Sequence, residues 1–309
     1  MILCVNPNAA IDKTVVVSPF HLNEIHRPQQ VIAIAGGKGC NVARALKRFG
    51  ETPVVTGWVG GYAGRFIEDG LHREGIQTDF IHTEFESRTC LSILDTENDT
   101  VTEIYEKGEQ VPDEKVEEFR KFFQTAVREC AAVTMSGSVP PGVPPDFYRE
   151  IIELAHATDI PTFLDSSGES LKRGIVAQPT LVKPNESELA DLVGEETLQT
   201  VDLARAAVEV SRQHNTVVVL SLGPDGAIAT NGQEALQVRP PALQIKSAVG
   251  SGDSLLAGIT YALTHDFVFE TAVRYGVAAG TANALEIGAG VFALKDFKRI
   301  LSEVTTTRL

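Results

Sequence analysis

Short β-branched runs alternate with amphipathic stretches through most of this chain, and that rhythm restricts the fold more than any other feature. The runs at 2–5, 54–59, 131–135, 162–164, 181–182 and 217–222 are apolar at successive positions, as strands buried on both faces are. Between them the spacing changes to the helical period. Val42, Ala45, Leu46 and Phe49 fall at i, i+3, i+4 and i+7, and Gly50 is placed to end that helix. Further helical stretches lie at 65–74, 113–130, 145–157, 202–214, 271–285 and 295–304. Strand–helix alternation of this kind predicts an α/β fold, with a mostly parallel central sheet covered by helices on both faces. Two stretches break the rhythm. Residues 13–17 with 31–35, and 88–94 with 101–105, read as strand pairs with no helix inside either pair. They predict a small antiparallel sheet, a β lid drawn from about 13–35 and 88–107. No Pro/Gly/Ser linker marks a boundary, so 1–309 reads as one domain.

Two glycine clusters run straight into helical patterns. Ala248-Val249-Gly250-Ser251-Gly252-Asp253-Ser254 precedes the apolar stretch 255–259. Such a turn aims backbone N–H groups at one point, on the positive end of a helix dipole, which suits a phosphoryl group. A carboxylate beside a transferring phosphate can take the proton of an attacking hydroxyl. Asp253 is therefore a candidate base in a small-molecule kinase. The second cluster is Ala35-Gly36-Gly37-Lys38-Gly39-Cys40-Asn41. Its glycines permit close approach of a ligand, Lys38 adds charge and Asn41 offers an amide. It reads also as a Gly-rich turn with Lys38 solvated.

Other enzyme classes fit less well. Val42 and Leu255 stand where a dinucleotide fingerprint needs its third glycine. Gly39 follows Gly37-Lys38 where a Walker A loop needs Ser or Thr, and the chain has neither HExxH nor GxSxG. With 27 basic against 41 acidic residues the net charge is −14, which disfavours nucleic acid and anionic membrane surfaces as partners. Small anionic substrates need only local cations. Cys4, Cys40, Cys90 and Cys130 have neither metal-ligand nor disulfide spacing, as expected of a cytoplasmic protein. The apolar start is too short for a signal peptide, and no apolar run reaches the ~18 residues of a membrane span.

Several further residues carry two readings each. Asp12, after the first strand, suits sugar hydroxyls or a plain turn. In Lys183-Pro184-Asn185-Glu186-Ser187-Glu188, the lysine could reach phosphate, while Asn185 and Glu188 could organise metal-bound water. The same two residues have capping-box spacing, and both readings can hold together. Ser221-Leu222-Gly223-Pro224-Asp225-Gly226 borders a ligand or simply turns a hairpin into 227–230. Arg88, Glu103 and Lys107 are lid charges that bind ligand or face solvent. Ser136-Gly137-Ser138-Val139-Pro140-Pro141-Gly142 shapes a pocket or turns the chain.

Taken in order, these motifs, with Asn6-Pro7-Asn8-Ala9-Ala10-Ile11-Asp12, Asn41-Val42-Ala43-Arg44 and Leu164-Asp165-Ser166-Ser167-Gly168, resemble the ribokinase-like superfamily of carbohydrate kinases, also called PfkB. The resemblance covers essentially the whole chain and is strongest to the branch holding 1-phosphofructokinase and tagatose-6-phosphate kinase. It implies a ribokinase-like fold and an ATP- and Mg²⁺-dependent kinase of a ketohexose phosphate, with conversion of fructose 1-phosphate to fructose 1,6-bisphosphate as the first expectation. Tagatose-6-phosphate kinase and 6-phosphofructokinase are the nearest alternatives; a non-catalytic sugar-phosphate sensor is a remoter one. The resemblance assigns Asp253 as base and Gly250, Ser251 and Gly252 as anion hole. Asn185 and Glu188 would arrange Mg²⁺ through water, with Lys183 nearby, and Ser221, Gly223 and Gly226 would border the nucleotide. Asp12, Gly36, Gly37 and Asn41 would hold the sugar, Lys38 and Arg88 its phosphate, and Ser138 would line the pocket. The branch often has Asn two residues after the lid arginine; Cys90 stands there and leans toward the tagatose pattern, as does the Gly-Ser-Gly anion hole. A homodimer is implied as well.

Overall fold

The computed structural model describes residues 1–195 and 203–309. The alternating runs become an 11-stranded sheet, in which β15 (Thr305–Arg308), β14 (Ala235–Arg239), β13 (Ala227–Thr230), β12 (Val217–Ser221), β11 (Leu181–Val182), β10 (Thr162–Asp165), β9 (Ala132–Ser136), β1 (Ile2–Asn8), β4 (Pro53–Gly60) and β5 (Gln77–Thr78) lie side by side in that order and β6 (Ile81–Thr83) also pairs with β4. Its parallel centre is built from β1 (Ile2–Asn8), β4 (Pro53–Gly60), β9 (Ala132–Ser136), β10 (Thr162–Asp165), β11 (Leu181–Val182) and β12 (Val217–Ser221). The short β5 (Gln77–Thr78) and β6 (Ile81–Thr83) pair parallel with β4. All seven residues of β1 and all eight of β4 are buried, which explains the apolar runs Ile2–Val5 and Val54–Val55 within them.

The antiparallel edge was not foreseen as a whole. After a tight turn at Gly223–Asp225, β13 (Ala227–Thr230) folds back on β12 as a hairpin, the plainer reading of that motif. β14 (Ala235–Arg239) and the C-terminal β15 (Thr305–Arg308) extend it antiparallel.

Helices cover both faces. One core packs α1 (Lys38–Arg48), α2 (Gly61–Arg73), α8 (Ser251–Thr264), α9 (Phe269–Ala284) and α10 (Leu294–Glu303) on the sheet. The other packs α3 (Asp113–Ala126), α4 (Phe147–His156), α5 (Gly168–Gly174), α6 (Glu186–Val193) and α7 (Leu203–His214) on the opposite face. Gly50, at φ +93°, follows α1 in the left-handed conformation expected of its terminator. The stretch 113–130 stops being α-helix at Ala126 and tightens into a 3₁₀ turn over Val127–Glu129. The stretch 145–157 begins as helix only at Phe147, after its prolines. Asp202 of the stretch 202–214 lies outside the described residues; its helix is described from Leu203.

The smaller sheet stands apart, in the order β3-β2-β7-β8: β3 (Gln30–Gly36), β2 (Ala10–Val17), β7 (Arg88–Asp95) and β8 (Thr100–Tyr105). It is not wholly antiparallel as expected: β2 and β7 run parallel. The chain returns through α1, β4 and α2 between them, and so long a crossover permits the parallel direction. Ala10 follows one residue after β1, so the small sheet grows directly from the central strand.

Candidate active site

The site lies at the carboxyl ends of the parallel strands, beside β1. Chain order reverses there: β4 follows on one side and β9 on the other. A crevice opens at such a switch point. It forms a cleft of about 1410 Å³ between the main sheet and the inner face of the small one, lined among others by Asp12, Lys38, Asn41, Arg88, Ser138 and Asp253.

Asp253 sits in the first turn of α8, 7% exposed. Gly250 precedes that helix with φ 79° and ψ 0°, the values of the third residue in a type II turn, and Ser251 N–H donates to Ala248 O at 3.1 Å to close the turn. Any side chain at 250 would also strike Ala289, whose Cα would lie 2.5 Å from the added Cβ. The turn consumes the Ser251 N–H, while the N–H groups of Gly250, Gly252 and Asp253 have no assigned acceptor among the described residues.

Asn41 Nδ2 donates to Asp253 Oδ2 at 2.8 Å. Burial, reinforced by the nearby Asp165 carboxylate, pushes the Asp253 carboxyl up to about 6, against the pull of Lys38, Asn41 and Lys183. Asp165 ends β10 and is 1% exposed. Lys38 Nζ meets its Oδ1 at 3.0 Å, and Lys183 Nζ lies 3.2 Å from its Oδ2, an ion pair short of an aligned hydrogen bond. Burial opposes the Asp165 charge, but the two ammonium groups prevail and hold its carboxyl below the usual range. Asp165 in turn raises Lys38. Lys183 also stands next to the anion turn: a Cβ on Gly252 would lie 3.5 Å from its Nζ.

At the small-sheet end of the cleft, Gly36 lies flat against Asp12, where a Cβ would fall 2.1–2.4 Å from the carboxyl atoms. Gly37 N–H approaches Asp12 Oδ2 at 3.4 Å, and burial raises the Asp12 carboxyl. Gly36→Ala should therefore displace the Asp12 side chain and lower kcat/KM by ~10²-fold through the ligand that Asp12 meets in the cleft. An unchanged kcat/KM in that variant would count against an Asp12 contact. Arg88 and Lys38 share the cleft but not a partner. Arg88 donates to the carbonyls of Asn8 (3.2 Å) and Glu106 (3.0 Å), whereas Lys38 faces Asp165. Ser138 Oγ lies 3.4 Å from Asn8 Nδ2, beside Arg88. Glu103 lines the cleft, and its Oε1 accepts from Tyr105 Oη at 2.5 Å.

Asn185 caps α6 in a full capping box, with Asn185 Oδ1 accepting from Glu188 N and Glu188 Oε2 accepting from Asn185 N. Ser221, at the end of the neighbouring β12, bridges to Asn185 and donates to Pro184 O. Lys183, Asn185, Glu188 and Ser221 thus form one group on adjacent strand ends, joined to the cleft by the Lys183–Asp165 pair. Gly223 and Gly226 flank the turn beyond Ser221.

Residues 6–295 match the family described as pfkB family carbohydrate kinase. The chain belongs to the pfkB family. A tagatose-6-phosphate kinase from Staphylococcus epidermidis is 34% identical over 307 residues, 98% of each chain. Among solved structures, phosphofructokinase-2 from Escherichia coli in complex with potassium superposes with a TM-score of 0.90 at 26% identity over 98% of each chain. A Thermotoga maritima protein named as a possible 1-phosphofructokinase superposes with a TM-score of 0.88 at 27% identity, covering 100% of this chain and 99% of its own. The chain is thus a carbohydrate-kinase-type phosphotransferase with a ribokinase-like fold, and family membership implies ATP as phosphoryl donor. No helix among the described residues is long and apolar enough to cross a membrane.

Sequence reading left several working residues of this kinase without a role. Asp165 is one, although a lone acidic residue closing an apolar strand was a usable signal. Asn6 is another: its side chain accepts from Gly39 N and donates to Gly36 O, tying the glycine cluster to β1. Asn283, fully buried on α9, donates to Val249 O and accepts from Ser254 Oγ, Gly290 N and Val291 N, so it clamps the anion turn. Nothing in its apolar surroundings in the sequence marks it.

Proposed function

We propose that this protein transfers the γ-phosphoryl group of ATP to the primary hydroxyl of a ketohexose phosphate. The observation that carries the reading is the Asp253 carboxylate, buried at a helix start beside the open N–H of Gly252 and bonded across the cleft to Asn41. Asp253 takes the proton of the acceptor hydroxyl as its oxygen bonds to the γ-phosphorus. The bond from that phosphorus to the bridging oxygen breaks, and ADP leaves with the electron pair. The N–H groups at the head of α8 and the Lys183 ammonium face the charge that develops on the phosphoryl oxygens.

Asp12, Gly36, Gly37 and Asn41 hold the sugar ring; Arg88, Ser138 and Lys38 face its phosphate. Ser221, Gly223 and Gly226 border the nucleotide. The donor set suits Mg²⁺, which keeps most of its waters and needs few protein carboxylates. Glu188 commits Oε2 to the capping box and keeps its other oxygen outside it, and burial raises its carboxyl. Asn185 and Glu188 would hold the ion through water, and when bound it neutralises phosphate charge. The small sheet serves as the lid of a single kinase domain.

Three substrates have specific support, fructose 6-phosphate through the phosphofructokinase-2 of Escherichia coli seen in complex with it. Tagatose 6-phosphate is favoured by the 34% identical kinase and by Cys90, which pairs with Asp12 on the lid's inner face. Fructose 1-phosphate is favoured by the Thermotoga relative's name. Steady-state kcat/KM on tagatose 6-phosphate, fructose 1-phosphate and fructose 6-phosphate ranks them. Tight binding without ADP release on any of the three would point instead to a sensor.

All six residues of β8 are exposed, Val101 and Ile104 among them, and an open edge of this kind invites pairing. The protein should sediment as a homodimer at micromolar concentration, and a monomer there would refute that assembly.

A further inference from the structure

Arg44 takes no part in the reading above, yet it is one of the most confined cations of the chain. It lies on α1 one turn after Asn41, on the same helix face, and is 6% exposed. Its Nε and Nη2 meet the two Glu74 carboxylate oxygens at 2.5 and 3.0 Å. Nη2 also donates to the Ala35 carbonyl at the end of β3, and Nη1 donates to Asn41 Oδ1 at 3.0 Å.

A guanidinium has donors only. Asn41 must therefore turn its carbonyl oxygen toward Arg44, which leaves its amide nitrogen to donate to Asp253 Oδ2. A flipped amide would set oxygen against the carboxylate and NH₂ against the guanidinium, two repulsive contacts at once. The end of an amide that faces each partner is assigned from such a network, and this one admits a single answer. Glu74 caps the end of α2, so the orienting group is anchored in an element with no other role at the phosphoryl end.

We propose that Arg44, held by Glu74, is a positioning residue for phosphoryl transfer: it fixes the orientation of the Asn41 amide and, through it, the aim of the Asp253 carboxylate. The proposal rests on Asp253 being the base. One oxygen is held by Asn41, and the other is left for the acceptor's proton. A base released from that contact loses its near-attack geometry, and misplacement of this order costs up to ~10²-fold in rate. The charged groups facing Asp253 are Asp165 from β10, Lys38 from α1 and Lys183 just after β11, and none changes when residue 44 does. Because the Asn41 N–H favours the ionised carboxylate, its loss moves the acid limb of the rate profile to higher pH.

The test is a double-mutant cycle. Arg44→Lys keeps the charge and removes the fork; Glu74→Gln, 35% exposed in its parent form, loosens the anchor from outside. Each is made alone and with Asn41→Ala. The readouts are kcat, KM for ATP, the pH profile of kcat/KM and thermal melting. The substrate's own phosphate titration is common to all variants and drops out of the comparison. Expected is a ~10-fold or greater fall in kcat for each single variant, an unchanged KM for ATP and an acid limb displaced upward. With Asn41→Ala present, the same changes should move kcat by less than ~2-fold, since coupled residues are not additive. Folded single variants with parental kcat and acid limb would overturn the proposal, as would effects that multiply with Asn41→Ala. If Arg44→Lys fails to fold, Glu74→Gln alone decides. Near-normal turnover in Asp253→Asn would remove the base itself; an inactive Asp253→Asn with multiplying Arg44 effects would remove only the positioning role.

Discussion

Asp253→Asn should fold like the parent and lose kcat by at least ~10²-fold, the range supplied by general base catalysis. The amide is nearly the same shape, and its oxygen can still accept from Asn41, so the local contact survives. What disappears is the acceptor of the substrate proton. The same substitution should erase the acid limb of kcat/KM, which the carboxyl's position near 6 places at mildly acidic pH. The sign follows from the role: the base works only when deprotonated, so the rate falls as pH drops through that value. Calorimetry should find both substrates still bound. Turnover close to parental would remove Asp253 from the chemistry.

Asp165→Ala should be the most damaging single change to stability. It takes away the only anion within ion-pair distance of Lys183, which is 5% exposed, among the described residues. Stranding one member of a buried pair costs about 3–5 kcal/mol, and melting should fall by on the order of 10 °C. Most of that loss belongs to Lys183. Lys38, 43% exposed at its side chain, can swing into solvent. Because the Asp165 carboxyl is held below its usual range, the pair's contribution is complete above the ordinary carboxylate pKa and fades only as acid reaches the depressed value. Asp253 would meanwhile lose the like charge that helps raise it, so the acid limb should move to lower pH. An unchanged melting point in this variant would show that the lysine does not depend on the pair.

What the sequence revealed depended on how local each signal was. The buried strands announced themselves through continuous apolar runs, and α1 through its four spaced residues and Gly50. The glycine turn before Asp253 was legible because a type II turn and a helix start are written in consecutive residues. β14 is short and half-polar, and the terminal edge strand β15 finds it from some 70 residues away, a pairing that no local period records. The direction of β2 against β7 likewise depends on a crossover through the other sheet. Within the site, individual ligand candidates could be picked out, but not the contacts between them. The Lys38–Asp165–Lys183 group joins three strand or helix ends, and the clamp at Asn283 closes on four atoms from three segments. A residue whose only function is to hold another carries little trace in its own neighbourhood.

The division of the cleft between two sheets has a consequence for how such an enzyme can change. Asp12, Cys90 and Tyr105 form one cross-strand row on the small sheet, and Thr14, Ser92 and Glu103 form the next. Asp253, the glycine turn before it and the ion-paired Lys38 and Lys183 all belong to the other layer. Alternate positions along three neighbouring strands can therefore be rewritten to admit a differently configured sugar without disturbing the transfer machinery. New specificities in this architecture are open to evolution, or to a designer, through a handful of exchanges on the cleft-facing side of the small sheet.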